Sequence, residues 1–181
     1  MKNILIIGSG SNSKEWYETN FEKLGVFDEI HAINHACVFM KKPFIQHMST
    51  DFKKNDSIPV EEWNQQKQLV IKKISGNALR HPLNLKLDGG STTMFVDTCI
   101  HIFNTEKFNC KIFCIGCDFD YSGDNTHFYG KGGKDPLRVG KEKLLVNLEI
   151  LGKLGVFFNL SDNPNSLLPF EKEKLDLIPV C

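Results

Sequence analysis

Short, continuous apolar runs alternate along the chain with longer and more polar segments. Glycine or polar residues bound each run, which is typical of strands buried on both faces of a sheet. The runs predict strands at Lys2–Ile7, Glu29–Ile33, Phe44–Met48, and residues 111–115 and 156–160.

Between these strands, apolar residues recur at helical spacing. In residues 137–154 the leucines fall on one side of a helix, and Gly155 follows as a stop signal. Further helices are predicted at residues 14–24 with Gly25 as C-terminal cap, at 59–74, and at 92–103 with Ser91 as N-cap. This alternation predicts an α/β fold: one Rossmann-like, three-layer αβα domain over residues 1–181 with a mostly parallel central sheet.

Polar residues collect where the predicted strands end. In open parallel sheets, ligands bind beyond the carboxyl ends of the strands. The segments at those ends are rich in Gly, Ser, Asn, Asp and His, namely residues 8–13, 34–35, 49–51, 116–121 and 161–166. The sequence therefore predicts a ligand site along this edge of the sheet.

The composition of the chain argues against several classes of protein. The 181 residues carry 22 basic and 22 acidic side chains, so the basic excess typical of a nucleic-acid-binding protein is missing. The apolar run near the start of the chain is too short for a membrane span or an export signal, so we expect a cytoplasmic protein. In that compartment the 6 cysteines are expected to be reduced thiols.

The first loop, residues 8–13, joins a strand to a helix. Gly8 and Gly10 would let the backbone approach a phosphate, and the helix N-terminus would supply amide donors. The loop lacks the Gly-Lys-Ser/Thr of a P-loop, Ser13 replaces the third glycine of the dinucleotide fingerprint, and Asn34 replaces its acidic residue. A tight structural turn and a phosphate site of another kind both remain open.

Residues 116–127 form the densest polar run. They contain Asp118, Asp120, Asp124 and His127. A histidine near a carboxylate can act as a general base at neutral pH, whereas the alternative is a solvated loop whose Asp and Asn residues make turns. The nearby cysteines are spaced as small apolar core residues rather than as the paired ligands of a zinc site.

Several of these segments together resemble the bacterial lipooligosaccharide sialyltransferases that use CMP-sialic acid and, more loosely, the 6-hydroxymethylpterin diphosphokinase-like proteins. The longest matching segments are Asp-Asn-Thr-His-Phe-Tyr-Gly at 124–130 and Asn-Pro-Asn-Ser-Leu-Leu at 163–168. The shorter ones lie at residues 6–10, 33–34, 89–92 and 116–119. The resemblance extends over nearly the whole chain as separate islands in the same order.

The resemblance implies roles for individual residues. His127 would be the general base that removes the proton of an acceptor hydroxyl, with Asp118 and Tyr121 as further catalytic candidates. The donor nucleotide would be bound by the residues Gly8, Ser9, Gly10, Ser11, Asn34, Gly90, Ser91, Thr92, Asn165 and Ser166. Such chemistry needs no metal in that family. The substrates would be a nucleotide-sugar, with sialic acid as the implied sugar, and a glycan or small acceptor.

The chain departs from the family by lacking a lid insertion. Only residues 119–126 separate Asp118 from His127, so we expect a nucleotide-binding domain without its cover. A homo-oligomer whose neighbouring subunit completes the open site is one further expectation.

Two alternatives to sugar transfer stay open. The first is diphosphate transfer of the pterin type, with Mg²⁺ held by Asp118, Asp120 and Asp124. The second is a nucleotide-binding protein without catalytic activity.

Overall fold

Seven parallel strands form one sheet in the computed structural model, which describes residues 1–49, 56–75, 93–130 and 140–179. The strands are β1 (Lys2–Ile7), β2 (Glu29–Ile33), β3 (Phe44–Met48), β4 (Val70–Ser75), β5 (Cys110–Ile115), β6 (Phe157–Asn159) and β7 (Glu171–Lys172). Their order across the sheet is β4-β3-β2-β1-β5-β6-β7. The predicted α/β class with a parallel sheet is confirmed.

Helices cover both faces of this sheet. The α-helices are α1 (Ser13–Thr19), α2 (Val60–Gln65), α3 (Met94–Glu106) and α4 (Lys141–Gly152), and 3-10 helices lie at Phe21–Val26, Asn34–Phe39, Lys67–Leu69 and Leu175–Leu177. Within the described part of the chain, no helix has the length and apolar character needed to cross a bilayer.

Alternate residues of β1 contribute side chains to two separate hydrophobic cores, because successive side chains of a strand point to opposite faces of the sheet. Ile4 and Ile6 pack with α3 and α4, whereas Leu5 and Ile7 pack with α1 and the 3-10 helix Asn34–Phe39. All four side chains are fully buried. The two cores establish the three-layer arrangement that the sequence predicts.

Two predicted helices are wrong in extent. The single helix predicted over residues 59–74 is instead α2 followed by β4, an edge strand whose exposed Ile71, Lys72 and Lys73 conceal its strand character. The helix predicted over residues 14–24 ends at Thr19, and a 3-10 helix follows, so Gly25 is not a cap of α1.

The starts of the last two helices also differ from the prediction. α3 begins at Met94, and the Thr93 hydroxyl accepts a hydrogen bond from the Val96 amide at 3.3 Å. The N-cap is therefore Thr93 rather than Ser91, which lies outside the described residues. α4 begins at Lys141 after Gly140.

The connections after β1 and β5 run to opposite faces of the sheet. α1 follows β1 into one core, and α4 follows β5 into the other, although β1 and β5 are neighbours in the sheet. This divergence opens a crevice at the carboxyl ends of the two strands, the place where parallel α/β sheets bind ligands.

Candidate functional site

A cavity of about 360 Å³ occupies that crevice, within the size range of small-molecule sites. All five polar segments predicted at strand ends contribute to its wall. Its lining residues are Gly8, Ser9, Gly10, Ser11, Ile33, Asn34, Ser49, Thr93, Met94, Phe95, Gly116, Cys117, Asp118, Phe119, Asp120, Tyr121, Thr126, His127 and Asn163. We call this space the edge cavity.

The glycines of the first loop allow two backbones to touch. The Gly10 amide donates to the Gly116 carbonyl at 2.9 Å. A Cβ atom on Gly8 would lie 2.3 Å from the Gly116 carbonyl oxygen, and one on Gly10 would lie 2.8 Å from it. Close packing of the β1 and β5 loops thus already accounts for glycine at both positions, whether or not a phosphate also binds there.

Asn34 closes the end of β2 with a left-handed backbone at φ 50°. Asparagine tolerates this conformation better than most residues. Its side-chain oxygen accepts a hydrogen bond at 3.0 Å from the Ser49 amide, which follows β3. Asn34 therefore ties two neighbouring strand ends together at the wall of the edge cavity.

The turn after β5 contains backbone strain. Phe119 has φ 55°, a conformation that costs a bulky residue about 1–3 kcal/mol. The Phe119 ring packs edge-on against Phe95 of α3, with centroids 5.6 Å apart. The turn brings Asp118, Phe119 and Asp120 together at the cavity wall.

Asp118 is buried and held by the loop after β6. The Ser161 hydroxyl donates to Asp118 Oδ2 at 2.8 Å, and the Asn163 amide donates to that hydroxyl at 3.1 Å. The second oxygen, Oδ1, has no hydrogen-bond partner among the described residues. Asp118 is thus fixed in orientation, and its unpaired oxygen is buried.

The Asp120 carboxylate is held by a different set of hydrogen bonds from that of Asp118. Its carboxylate accepts hydrogen bonds from the hydroxyl and the amide of Ser122, and from the Asn163 side chain at 3.1 Å. These bonds lower the pKa of the Asp120 carboxyl to about 2, so it is ionised at neutral pH.

The carboxylates proposed to bind Mg²⁺ do not converge. Asp124 is exposed and does not line the edge cavity. In residues 1–49, 56–75, 93–130 and 140–179, no group of three or more His, Cys, Asp or Glu side chains is arranged to hold a metal ion.

His127 projects into the edge cavity from a tight turn that pairs with the first loop. The Phe128 amide donates to the Ser9 carbonyl at 3.1 Å. The imidazole Nδ1 lies 2.9 Å from the Thr126 hydroxyl, and among the described residues Nε2 has no partner. Burial lowers the pKa of His127 below 6.5, so the ring is mainly neutral at pH 7, the form that can accept a proton.

Two tyrosines flank the His127 ring. The Tyr129 ring stacks on it with centroids 4.9 Å apart and planes at 26°, and the Tyr121 ring lies 6.1 Å away at 46°. Tyr121 lines the cavity, as expected for a residue near the reacting groups, whereas Tyr129 supports the imidazole from behind the wall.

The structure brings most of the sequence-predicted site residues together. Asn165 and Ser166 do not line the edge cavity: Asn165 is exposed, and Ser166 accepts a hydrogen bond from Asn159 at 3.2 Å. Gly90, Ser91 and Thr92 lie outside the described residues.

Sequence reasoning missed part of the cavity wall. Ser49 belonged to a predicted polar strand end, and Asn163 lay in a matched segment, so their polar setting could have identified both. Phe95 and Thr93 gave no such signal, because they look like ordinary residues at the start of a helix.

A second cavity, of about 200 Å³, lies between the other half of α3 and strands β2 to β4. We call it the histidine pocket, and it is lined by Glu29, His31, Ile45, Lys72, Ile74, His101, Ile102, Thr105 and Glu106. His31 Nδ1 lies 2.7 Å from Nε2 of the fully buried His47, and His31 Nε2 lies 3.3 Å from Glu29. Burial, followed by the nearby His31, lowers the pKa of His47 to about 2.

The cysteines among the described residues pack as core residues. Cys37, Cys99, Cys110, Cys114 and Cys117 are all buried as free thiols. Burial raises the pKa of Cys114 and of Cys117, so both thiols stay protonated at neutral pH.

Comparisons of the chain with models of known protein families, with characterised proteins and with solved structures found no match. The residues of the edge cavity are therefore the basis on which a function can be proposed.

Proposed function

We propose that this protein is an enzyme that transfers a sugar from a nucleotide donor to a hydroxyl acceptor, with His127 as the general base. The observation that carries the proposal is the setting of His127. Its half-buried imidazole lines the edge cavity with a lowered pKa and with Nε2 unpartnered among the described residues.

The reaction needs a base but little other covalent chemistry from the protein. A hydroxyl oxygen of the acceptor bonds to the anomeric carbon of the donor sugar, and the bond from that carbon to the donor phosphate breaks. The hydroxyl proton goes to His127 Nε2, and the nucleotide leaves as its phosphate. When Nδ1 carries the ring proton and donates to Thr126, Nε2 has the lone pair that this step requires.

The donor would bind along the β1 and β5 ends. Helix α3 presents its N-terminus to the edge cavity, where Thr93 already caps Val96 and the amides of Met94 and Phe95 have no partner within the helix. Such a terminus favours an anionic group like the donor phosphate. Asn34, Asp118 and Asn163 would offer polar contacts to the hydroxyls and base.

The resemblance to CMP-sialic acid-using enzymes supports a CMP-sugar as the first donor to test. The proposed partners are small molecules, a nucleotide-sugar and a glycan or small acceptor, and the proposed location is the cytoplasm. The reaction as written requires no metal.

The test is release of CMP from CMP-sialic acid, with and without added acceptors, by the natural protein and by His127→Ala. We expect CMP release by the natural protein, unaffected by a chelator, and a large loss in the variant. Equal release by both proteins would remove His127 from the mechanism. CMP release abolished by the chelator would contradict the metal-free step, and no CMP release by the natural protein would favour the alternatives to sugar transfer.

A further inference from the structure

Tyr129 lies between two imidazole rings. Its ring centroid is 4.9 Å from that of His127 and 4.9 Å from that of His35. The His127 contact is nearly parallel, at 26°, whereas the His35 contact is tilted at 54°. Tyr129 is thus the middle member of a row of three rings that begins at the edge cavity.

The row is held in place by packing against other elements of the protein. His35 belongs to the 3-10 helix that starts at Asn34, and its ring packs edge-on against Trp63 of α2, with centroids 5.7 Å apart. Phe128, next to Tyr129, packs edge-on against the buried Phe39 at 4.9 Å. The ring that faces His127 is therefore supported from behind by two elements of the core.

The contacts of His127 restrict different motions. The hydrogen bond between Nδ1 and the Thr126 hydroxyl restricts rotation of the imidazole about its Cβ–Cγ bond. Stacking on Tyr129 fixes the plane of the ring and covers one of its faces. A base held in this way loses little orientational freedom when a substrate hydroxyl arrives.

We propose that Tyr129, supported by His35, is a positioning residue that holds the His127 imidazole in its reactive orientation and keeps water from one face of the ring. This inference rests on the proposed role of His127 as general base. It assigns a function to a tyrosine that does not line the edge cavity and to a histidine that is distant from His127 in the sequence.

The test is the titration of the His127 imidazole by NMR in protein labelled at histidine. The chain has 6 histidines, and the signal lost in His127→Gln identifies the resonance. Because burial lowers the pKa of His127, Tyr129→Ala should move its titration midpoint upward, towards the ordinary value of 6.5. Tyr129→Phe keeps the ring and should leave the midpoint unchanged.

Two further variants complete the design. His35→Ala removes only the outer support and should shift the midpoint in the same direction by less. Phe108→Ala is the matched control, because Phe108 is an exposed ring that packs edge-on against Phe103 and precedes β5, whereas His127 and Tyr129 follow the other end of that strand. It should change nothing at His127.

A midpoint that stays in place or moves downward in Tyr129→Ala, in a variant whose amide spectrum is that of a folded protein, would overturn the inference. So would an equal upward shift in Tyr129→Phe. The titration needs no substrate, so it separates this inference from the proposed function. A protein that consumes no nucleotide-sugar but shows the predicted shifts would contradict the proposed function alone.

Discussion

The edge cavity and the histidine pocket are built on the same sheet and both contain histidines, but they satisfy their polar atoms differently. In the histidine pocket, His31 uses both ring nitrogens, one towards Glu29 and one towards His47. In the edge cavity, the described residues leave His127 Nε2 and Asp118 Oδ1 without partners. His127 lines the edge cavity, so its imidazole is accessible to a ligand, whereas the unpaired Nδ1 of His47 is buried and His47 does not line the histidine pocket.

The position of each group along its strand explains this difference. His31 and His47 lie inside β2 and β3, where neighbouring strands bring their rings within hydrogen-bond distance. Asp118 and His127 lie in loops beyond β5, where the chain leaves the sheet. We therefore expect substrate chemistry in the edge cavity and a structural role for the histidine pocket.

The largest effect is expected when one histidine is substituted in each of the two regions. His127→Gln should reduce sugar transfer by about 10²–10⁴-fold, the usual contribution of a general base, with little change in the free energy of unfolding. His47→Gln should lower the stability and leave the transfer rate of the folded protein near that of the natural protein. Transfer assays and chemical denaturation measure the two quantities, and the opposite pattern would reverse the assignment of the two regions.

The second prediction concerns the loop packing beneath the edge cavity. Gly8→Ala places a Cβ 2.3 Å from the Gly116 carbonyl oxygen, a clash with backbone that should lower the free energy of unfolding by about 3 kcal/mol. Gly25→Ala is the matched control, because no atom lies within 4 Å of its added Cβ. Its effect should stay within about 0.5 kcal/mol. Equal effects of the two substitutions in urea denaturation would contradict the described contact between the β1 and β5 loops.

The third prediction compares two serines that donate to carboxylates. Ser161→Ala removes the buried hydrogen bond to Asp118 and should cost about 2 kcal/mol, because it leaves a buried carboxylate unpaired. Ser122→Ala removes an exposed bond to Asp120 and should cost far less. Denaturation at neutral pH measures both, and a cost at Ser122 as large as that at Ser161 would show that burial does not set the strength of these contacts.

The smallest effect, taken per pH unit, is a dependence of stability on pH that arises in the histidine pocket. The pKa of His47 is about 2 in the folded protein and about 6.5 when unfolded, so below pH 6.5 the unfolded state binds a proton that the folded state does not. The stabilisation is complete above pH 6.5 and declines as the pH falls, by at most about 1.4 kcal/mol per pH unit from this group. His47→Gln should flatten the decline between pH 6 and pH 4; an unchanged slope would show that other groups cause it.

The sequence identified the edge cavity better than it identified the elements around it. Buried strands such as β1 and β5 have continuous apolar runs, and their polar ends must meet at one edge of a parallel sheet, so the convergence of residues near Gly8, Asn34 and Asp118 was predictable. β4 was not, because an edge strand with exposed lysines lacks that pattern.

The partners of the site residues could not be predicted from the sequence. The hydrogen bond from Ser161 to Asp118 and the stacking of Tyr129 on His127 depend on loop conformations. In particular, nothing about phenylalanine as a residue type predicts the left-handed backbone conformation of Phe119. The histidine pair likewise depends on the register of β2 against β3.

The most direct test of the edge cavity as the nucleotide site is thermal unfolding with added nucleotides, because a ligand that binds only the folded state raises the midpoint. We predict a saturable rise with CMP and none with ATP. We also predict a smaller rise with CMP for Asn34→Gly, which keeps the left-handed backbone but removes the side chain from the cavity wall. No rise with CMP, or an equal rise in Asn34→Gly and the natural protein, would contradict the assignment.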